Sequence, residues 1–307
     1  MTSVSSLGLV ADVGGTNTRM AFVGPDGVIP DTVARRANVD FESFEALAQD
    51  YLAGRTADGP MVVAVAGPVG AGTARLTNRN WIIEAGQVAD ACGATSARLM
   101  NDLEALGQAV PTVPADAVEP LHAEAQLGLP GQALVIGLGT GFNVAPVHMA
   151  SGAVLISEQG HASLPESVMN ILQAHLADTT SFDTVETLFS GVGLLGLSKV
   201  IGVDVDSAEA LAKSDDPRAR EAIDVITDAL GQMVRELAFA FFPKAGIFFN
   251  GSLAQFLLSP SRRARVLAPL RTEAKFDGQF ARIPAFLFTS HTVALGGAAA
   301  RLLAHRD

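Results

Sequence analysis

Residues 9–23 read Leu9-Val-Ala-Asp12-Val-Gly14-Gly15-Thr16-Asn17-Thr18-Arg19-Met-Ala-Phe-Val23. Two apolar runs flank a glycine pair, and this pattern predicts two strands joined by a tight turn. We expect Gly14 and Gly15 to take a positive φ, which glycine adopts at no steric cost. The turn would then present backbone N–H groups together with the short polar side chains of Thr16, Asn17 and Thr18.

This set of groups favours a site for a phosphorylated ligand. A concave arrangement of N–H and O–H donors binds phosphate oxygens, and the carboxylate of Asp12 can hold a water bound to Mg²⁺. The alternative is a plain hairpin whose glycines serve only the turn. An acid before the turn and three hydrogen-bonding residues after it favour nucleotide phosphate binding.

Residues 12–19 resemble the first phosphate motif of the bacterial glucokinases, members of the superfamily of sugar kinases, actin and heat-shock chaperones. They match neither the lysine-containing Walker loop nor the Rossmann fingerprint. The resemblance implies an α/β protein with the two-domain actin-like ATPase (ribonuclease H-like) fold and a cleft between the domains. It implies a small domain of residues 1–110 plus 291–307, with the last helix packed on it, and a large domain of residues 111–290.

Composition limits the class of protein and its partners. The chain of 307 residues is 49% hydrophobic and 17% charged, which suits two well-filled domains. A formal charge of −11 argues against nucleic acid and anionic membranes as partners. The single cysteine, Cys92, excludes an internal disulfide framework and fits a reducing cytoplasm. Residues 132–156 are apolar but broken by glycines and polar residues, so we expect buried strands there rather than a membrane span.

Hydrophobic periodicity predicts alternating strands and helices. We expect helices over residues 41–52, with Asp40 as N-cap, and over residues 82–92, and a long helix over residues 217–241. A strand over residues 97–100 stops at Asn101-Asp102, directly before a further helix. An acid at such a junction lies at the carboxyl edge of the sheet, where ligands of open α/β folds bind. We therefore predict that Asp102 is catalytic, with an ordinary helix cap as its alternative role.

The strand, glycine turn, strand pattern occurs a second time. An apolar run leads into Gly137-Leu-Gly139-Thr140-Gly141, and a second apolar run follows. This segment resembles the second phosphate motif of the superfamily, in which the unit is duplicated and the two turns bind one triphosphate. Phe142-Asn143 departs from the small residues of that motif, which leaves the preferred sugar open.

A carboxylate and an imidazole lie close together in Ser157-Glu158-Gln-Gly160-His161. They could bind adjacent hydroxyls of a sugar, while two ligands alone make a poor zinc site. A surface glutamate and a capping histidine are the structural alternative. The segment resembles the sugar-binding loop of the glucokinases, and the turn Asn250-Gly251-Ser252 resembles their adenosine motif. Asn250 replaces a glycine there, at a position that can require left-handed backbone.

The resemblance as a whole implies which residues contact each ligand. The implied sugar contacts are Asn78, Asn101, Asp102, Glu158, His161 and Glu186. The implied nucleotide contacts are Asp12, Gly14, Gly15, Thr16, Asn17, Thr18, Gly139, Thr140, Gly141 and Gly251, and Asp12 would hold Mg²⁺ through water.

These residues together predict an ATP-dependent glucokinase. It would transfer phosphate from Mg-ATP to the 6-hydroxyl of glucose and form glucose 6-phosphate, the entry to glycolysis. Two alternatives stay open, namely a kinase of another hexose on the same fold and a non-catalytic sugar or nucleotide sensor. The resemblance further implies a cytoplasmic enzyme, and related enzymes are often homodimers.

Overall fold

The structure is a computed structural model that describes residues 6–76 and 79–304. Within these residues the strands are β1 (Gly8–Val13), β2 (Asn17–Gly24), β3 (Gly27–Val28), β4 (Ala34–Ala37), β5 (Pro60–Val65), β6 (Val69–Gly70), β7 (Thr73–Arg75), β8 (Ile82–Glu84), β9 (Ser96–Asn101), β10 (Val118–Pro120), β11 (Gln132–Leu138), β12 (Phe142–His148), β13 (Ala153–Val154), β14 (Gly246–Asn250) and β15 (Ala285–Phe288). The helices are α1 (Phe44–Leu52), α2 (Ala85–Cys92), α3 (Asp102–Ala109), α4 (Glu166–His175), α5 (Val185–Leu188), α6 (Gly191–Ile201), α7 (Ala208–Lys213), α8 (Pro217–Phe241), α9 (Ser252–Leu257), α10 (Arg263–Arg271), α11 (Lys275–Gly278) and α12 (Val293–Leu303).

The chain divides into two compact units. Unit 1 takes the chain up to Val113 and again from Ser290 onward, and unit 2 is Pro114–Thr289. The first change of unit falls in the run 111–120, which contains three prolines and only short elements. Each unit is built on its own mixed sheet.

The sheet of unit 1 has the strand order β3-β2-β1-β5-β9, and β4 pairs with β2 as well. β1 and β2 are antiparallel, whereas β1, β5 and β9 are parallel. The central strand β5 is apolar throughout its Met61–Val65 part and buried there, as a parallel strand covered on both faces requires. The carboxyl ends of β1, β5 and β9 therefore lie at one edge of this sheet.

The sheet of unit 2 repeats that arrangement strand for strand. Its order is β13-β12-β11-β14-β15, with β10 added beyond β15. β11 and β12 are antiparallel, and β11, β14 and β15 are parallel. The predicted duplication of the strand, glycine turn, strand unit is confirmed, because each glycine turn joins the first parallel strand of its sheet to the antiparallel neighbour.

Two helix predictions need correction at their first residues. α1 begins at Phe44, and its N-cap is Ser43, whose hydroxyl accepts a hydrogen bond from Ala46 N at 3.2 Å. Asp40 instead ends a short 3-10 turn, so the prediction of Asp40 as N-cap is wrong. The segment predicted as one helix over residues 82–92 begins as strand β8, which pairs with β7, and turns helical only at Ala85.

The glycine predictions are corrected as well. Gly14 and Gly15 do not have positive φ. Gly14 is instead favoured by close approach, because a Cβ there would lie in a tight contact, 3.3 Å from the carbonyl oxygen of Asn17. Asn250 also lacks a positive φ, which falls on the next residue, Gly251, at +112°.

Longer elements follow the predictions closely. α8 has the predicted bounds, and Ile226, Leu230 and Val234 on its inward stripe are fully buried in the core of unit 2. α12 packs on α3 within unit 1, as the resemblance implied. The apolar run 132–156 forms strands of the unit 2 sheet, and among the described residues no helix is both long and apolar enough to cross a membrane.

Candidate active site

The first glycine loop, residues 14–16, connects β1 to β2 in unit 1. Gly14 N donates to the carbonyl oxygen of Asn17 at 3.0 Å, which closes the turn. The N–H groups of Gly15 and Thr16 have no hydrogen-bond partner within the part of the chain that the structure describes. Two adjacent free N–H groups in a turn form a concave site for an anion.

Asn38 holds this loop in shape, and the sequence motifs gave no indication of it. Its side chain is fully buried, its Nδ2 donates to Gly14 O at 2.8 Å, and its Oδ1 accepts from the hydroxyl of Thr18 at 2.8 Å. Its backbone N donates to Thr16 O at 2.9 Å. Asn38 therefore binds the loop at Gly14 and Thr16, and the following strand at Thr18.

The hydroxyl of Thr18 is not grouped with the other predicted phosphate donors. Successive side chains of a strand point to opposite faces, so Thr18 faces away from Asn17 and Arg19. Thr18 is fully buried and its hydroxyl donates a hydrogen bond to Asn38, whereas Thr16 is exposed. Within residues 6–76 and 79–304, the hydroxyl of Thr16 therefore has no partner, whereas that of Thr18 is bound to Asn38.

Asp12 lies near the end of β1, directly opposite Arg19 of β2. Burial raises the pKa of Asp12 from 3.8 to about 6, although the neighbouring Arg19 guanidinium, 3.5 Å from the carboxylate, opposes the rise. Among the described residues there is no cluster of three acidic, histidine or cysteine side chains that could hold a metal. A single carboxylate still fits Mg²⁺, which usually takes one or two carboxylates together with substrate phosphates and water.

Asp102 stands at the junction of β9 and α3. The N-cap role goes to Asn101, whose Oδ1 accepts from Leu103 N at 2.9 Å and whose Nδ2 donates to Gly67 O at 3.0 Å. Asp102 also accepts from Leu103 N through Oδ1, and no ion pair involving Asp102 occurs in the described parts of the chain. Burial, and then the charge of Asp12, raise the pKa of Asp102 to about 6. The predicted base is therefore a half-buried carboxylate whose Oδ2 has no hydrogen-bond partner among the described residues.

The second glycine loop, residues 139–141, repeats the geometry of the first in unit 2. Gly139 N donates to Gly141 O at 3.0 Å and closes the turn. The N–H groups of Thr140 and Gly141 have no partner among the residues that the structure describes. Gly191, at the first turn of α6, donates its N–H to Gly139 O at 2.8 Å and supports the loop. Each sheet thus carries one turn with two free N–H groups.

Gly251 lies directly against the second glycine loop. A Cβ on Gly251 would overlap the carbonyl oxygen of Leu138, and one on Gly139 would lie 3.7 Å from Gly251 Cα. The positive φ of Gly251 and this close approach both require glycine. The turn between β14 and α9 and the second glycine loop are therefore brought together, as the residues implied for nucleotide binding would need to be.

Glu186 also reaches the second glycine loop. Its Oε2 accepts from Phe142 N at 2.9 Å, and a Cβ on Gly141 would overlap that same oxygen. Glu186 was predicted as a sugar contact. In the structure one of its two carboxylate oxygens accepts a hydrogen bond from the backbone directly after the loop. No sequence motif indicated this bond, since 44 positions separate its partners.

Glu158 and His161 lie in the loop of residues 157–161, called here the acid-histidine loop. Both side chains are exposed, and residues Gln159–His161 form a 3-10 turn in which His161 N donates to Glu158 O at 3.1 Å. A Cβ on Gly160 would overlap Phe142 O, so the loop packs tightly on the start of β12. Asn78, the remaining predicted sugar contact, lies outside the described residues.

Comparisons with known proteins point to one family over the whole chain. A sequence model of the family described as Glucokinase matches residues 9–305. The glucokinase of Xanthomonas campestris pv. campestris (strain 8004) is 30% identical over 321 residues, which cover 98% of this chain and 96% of the relative. A crystal structure of a glucokinase from an Antarctic psychrotroph aligns with a TM-score of 0.77 at 25% identity and covers 96% of this chain and 98% of that one.

A further solved structure has the same fold and contains ligands. The ROK family glucokinase from Streptomyces griseus, in complex with glucose and AMPPNP, aligns with a TM-score of 0.62 at 16% identity over 95% of this chain and 98% of that one. At that identity the likeness concerns the fold alone. The predicted fold class, a mixed α/β protein with the two-domain actin-like sugar kinase fold, is confirmed.

Proposed function

The chain belongs to the glucokinase family, and from this premise we propose that it is the kinase that transfers the γ-phosphoryl group of ATP to the 6-hydroxyl of glucose. The observation that carries the proposal is Asp102, a half-buried carboxylate with a raised pKa at the edge of a parallel sheet, in the same unit as a turn whose two N–H groups have no partner among the described residues. The complex of the Streptomyces enzyme with glucose and AMPPNP supports both substrates.

In unit 1, Asp102 is the proposed general base. It accepts the proton of the sugar hydroxyl while that oxygen forms a bond to the γ-phosphorus and the bond from phosphorus to the ADP oxygen breaks. The products are glucose 6-phosphate, ADP and a proton held on Asp102. Its raised pKa supports this role, because a base whose pKa lies near the working pH takes a proton more readily than an ordinary aspartate.

The first glycine loop is proposed to bind phosphate oxygens through Gly15, Thr16 and Asn17, with Gly14 closing the turn. Asp12 would hold Mg²⁺ through a bound water. When bound, this ion would neutralise charge on the phosphates that the N–H groups leave uncompensated. Thr18 acts through Asn38 and supports the loop.

Unit 2 is proposed to bind both substrates. Gly139, Thr140, Gly141 and Gly251 would contact the nucleotide, and the two free N–H groups of the second glycine loop support this assignment. Glu158, His161 and the second oxygen of Glu186 would bind sugar hydroxyls. For unit 1, Asn78 and Asn101 are the proposed sugar contacts. We also propose that the two units are the small and large domains implied by the resemblance.

A coupled assay of ADP release tests the proposal. Wild-type enzyme with Mg-ATP is compared on glucose, mannose, fructose and an N-acetylated hexose, with Asp102→Ala as the blank. We expect glucose to give the highest kcat/KM. A higher value for another hexose would move the assignment to that sugar, which the unusual Phe142-Asn143 pair keeps open. No turnover of any hexose would favour a non-catalytic sensor.

The proposal includes a cytoplasmic homodimer. The lone cysteine, Cys92, is buried in α2 and cannot form a disulfide within the chain, which fits a reducing compartment. Light scattering after size-exclusion chromatography tests the dimer, which a mass near 31.8 kDa would contradict. Cell fractionation tests the compartment.

A further inference from the structure

Asn143, the second residue of β12, binds the acid-histidine loop through both ends of its side-chain amide. Its Nδ2 donates to Ser157 O at 2.6 Å and to Glu158 Oε2 at 3.4 Å. Its Oδ1 accepts from Gln159 N at 3.0 Å and from the hydroxyl of Ser157 at 3.2 Å. One side chain thus contacts three consecutive residues of the loop.

The orientation of this amide is determined by its partners. The N–H of Gln159 and that of Val144, which donates to Oδ1 at 2.8 Å, can only donate, whereas the carbonyl of Ser157 can only accept. Rotation of the amide by 180° would therefore turn these bonds into repulsive contacts. The Nδ2 that faces Glu158 must stay in place as long as the loop does.

Among the described residues, Ser157 makes one further side-chain bond, from its hydroxyl to Val144 O at 2.9 Å. The two residues that lead into the loop, Leu155 and Ile156, are 61% and 76% exposed, so their side chains do not anchor it in the core. Asn143 is the partner of the Glu158 carboxylate among the described residues. Gly160, farther along, packs on Phe142 O. Without the amide, residues 157–159 would gain conformational freedom, and Glu158 would no longer point in one direction.

We propose that Asn143 is a positioning residue for the sugar: it holds Glu158 in one place and so determines how tightly, and how selectively, a hexose binds. This inference rests on the proposed function, in which Glu158 binds a sugar hydroxyl. A carboxylate distinguishes one hydroxyl arrangement from another only if it is itself fixed, since a mobile carboxylate adapts to several. Asn143 supplies that rigidity from the same strand that begins at the second glycine loop.

The kinetic test compares three variants. Asn143→Ala removes all five bonds. Asn143→Asp keeps the acceptor oxygen but loses the donor and adds a negative charge beside Glu158. Asn170→Ala, on the exposed face of α4, is the matched control. We expect Asn143→Ala to raise the KM for glucose by about 10- to 100-fold, with the KM for ATP changed by less than about 2-fold.

The same variants test selectivity. The ratio of kcat/KM for glucose to that for mannose should fall in Asn143→Ala, and Asn143→Asp should fail to restore it because its charge repels Glu158. The control should match the wild type in all constants. An unchanged glucose KM in Asn143→Ala, or a rise shared equally by the KM for ATP, would overturn the proposal.

Hydrogen exchange separates this inference from the proposed function. The N–H of Gln159 donates to Asn143, so a peptide covering residues 157–161 should exchange faster in Asn143→Ala, whereas one covering residues 14–16 should not change. Equal exchange in the wild type and the variant would overturn the positioning role. If the wild-type enzyme turned over no hexose, the proposed function would fail, and the exchange result would still decide whether Asn143 orders the loop.

Discussion

Asp12 and Asp102 are the two carboxylates, among the described residues, whose pKa is raised clearly above the ordinary value. Burial raises the pKa of each to about 6, but Asp12 has the Arg19 guanidinium beside it, while Asp102 is raised further by the charge of Asp12. The carboxylate with a cation partner is suited to hold charge, and the one without is suited to take up a proton. Two aspartates can therefore have different roles, one as a charged ligand and one as a base, because their surroundings differ.

Replacement of Asp102 tests its role in proton transfer. We expect Asp102→Ala to lower kcat by about 10²- to 10⁴-fold, because the hydroxyl loses its base. Glucose and AMPPNP should still bind, as titration calorimetry can measure. The fold should persist, since Leu103 N keeps its bond to Asn101. Asp90→Ala, at an exposed position of α2, is the control, and a near-normal kcat in Asp102→Ala would remove Asp102 from the role.

The pH dependence follows from the direction of the same shift. Only the ionised carboxylate can accept a proton, so log kcat/KM should rise with pH below about 6 and level off above it. The apparent pKa belongs to the pair with Asp12, because their charges interact. A profile that stays flat down to pH 4.5 would contradict the assignment.

Stability should show the opposite trend with pH. The pKa of Asp102 is raised on folding from 3.8 to about 6, so between these values the folded state binds more protons than the unfolded state. Protonation of Asp102 therefore favours the folded state. This contribution to the free energy of unfolding is fully present below pH 3.8 and is lost as pH rises through 6. Asp102→Asn, which keeps the acceptor for Leu103 N, should therefore raise the Tm at pH 7.5 by roughly 2–5 °C and give no gain at pH 3.5.

Thr16 and Thr18 form a matched pair that tests which threonine serves the phosphates. Thr18→Val leaves the buried Oδ1 of Asn38 without its donor and should cost about 1–3 kcal/mol in the free energy of unfolding. Thr16→Val, in the exposed turn, should leave stability nearly unchanged but raise the KM for ATP by about 2- to 12-fold. Urea unfolding and steady-state kinetics measure both, and the reverse assignment of the two effects would restore Thr18 as a phosphate ligand.

At the scale of elements, each glycine loop depends on residues from outside its own hairpin. Asn38 binds the first loop, and Glu186 and Gly191 bind the second. A turn with two free N–H groups cannot satisfy them internally, so other elements must hold its shape before a ligand arrives. If the loops bind phosphate as proposed, this support lets them do so without further rearrangement.

A double-mutant cycle on Gly141 and Glu186 tests the support of the second loop. Gly141→Ala places a Cβ where Oε2 of Glu186 lies, and Glu186→Ala removes that oxygen and frees Phe142 N. We expect each single variant to lower kcat/KM for ATP. The loss in the double variant should be smaller than the sum of the two single losses, with a coupling energy of about 0.5–3 kcal/mol. Gly196→Ala, in an open part of α6, is the control. Strict additivity would contradict the contact.

At the scale of the whole molecule, the chain contains two sheets with the same strand arrangement, and α12 belongs to the first unit. The orders β3-β2-β1-β5-β9 and β13-β12-β11-β14-β15 correspond strand for strand. α12 follows the last strand of unit 2 and packs on α3 of unit 1. Unit 1 is therefore completed only when α12 is packed on it.

Two adjacent glycines of α12 test this closure. Gly297 packs so tightly on α3 that a Cβ would overlap Ala105 O, and the cost of Gly297→Ala should be about 2–4 kcal/mol of unfolding free energy. Gly296 faces open space, so Gly296→Ala should stabilise the helix by up to about 1 kcal/mol. Urea denaturation compares them, and equal effects at the two positions would show that α12 does not depend on this contact.

The sequence alone determined the parts of this protein that depend on neighbouring residues. The strands around both glycine turns, the bounds of α8 and the place of Asp102 at a strand-to-helix junction follow from apolar periodicity and local sterics. The two wrong helix starts also have local causes. Ser43 caps α1 in place of Asp40, and residues 82–84 pair with β7 as a strand and do not join the predicted helix.

Only the tertiary structure decided which polar groups are already occupied and which remain free. Thr18 is used by Asn38, 20 positions away, Glu186 by Phe142 N, 44 positions away, and Asn143 by the acid-histidine loop, 14 to 16 positions away. A motif lists which groups could bind a ligand, but a hydrogen bond depends on distance in space. The folded chain brings distant residues within that distance, and no local pattern encodes it.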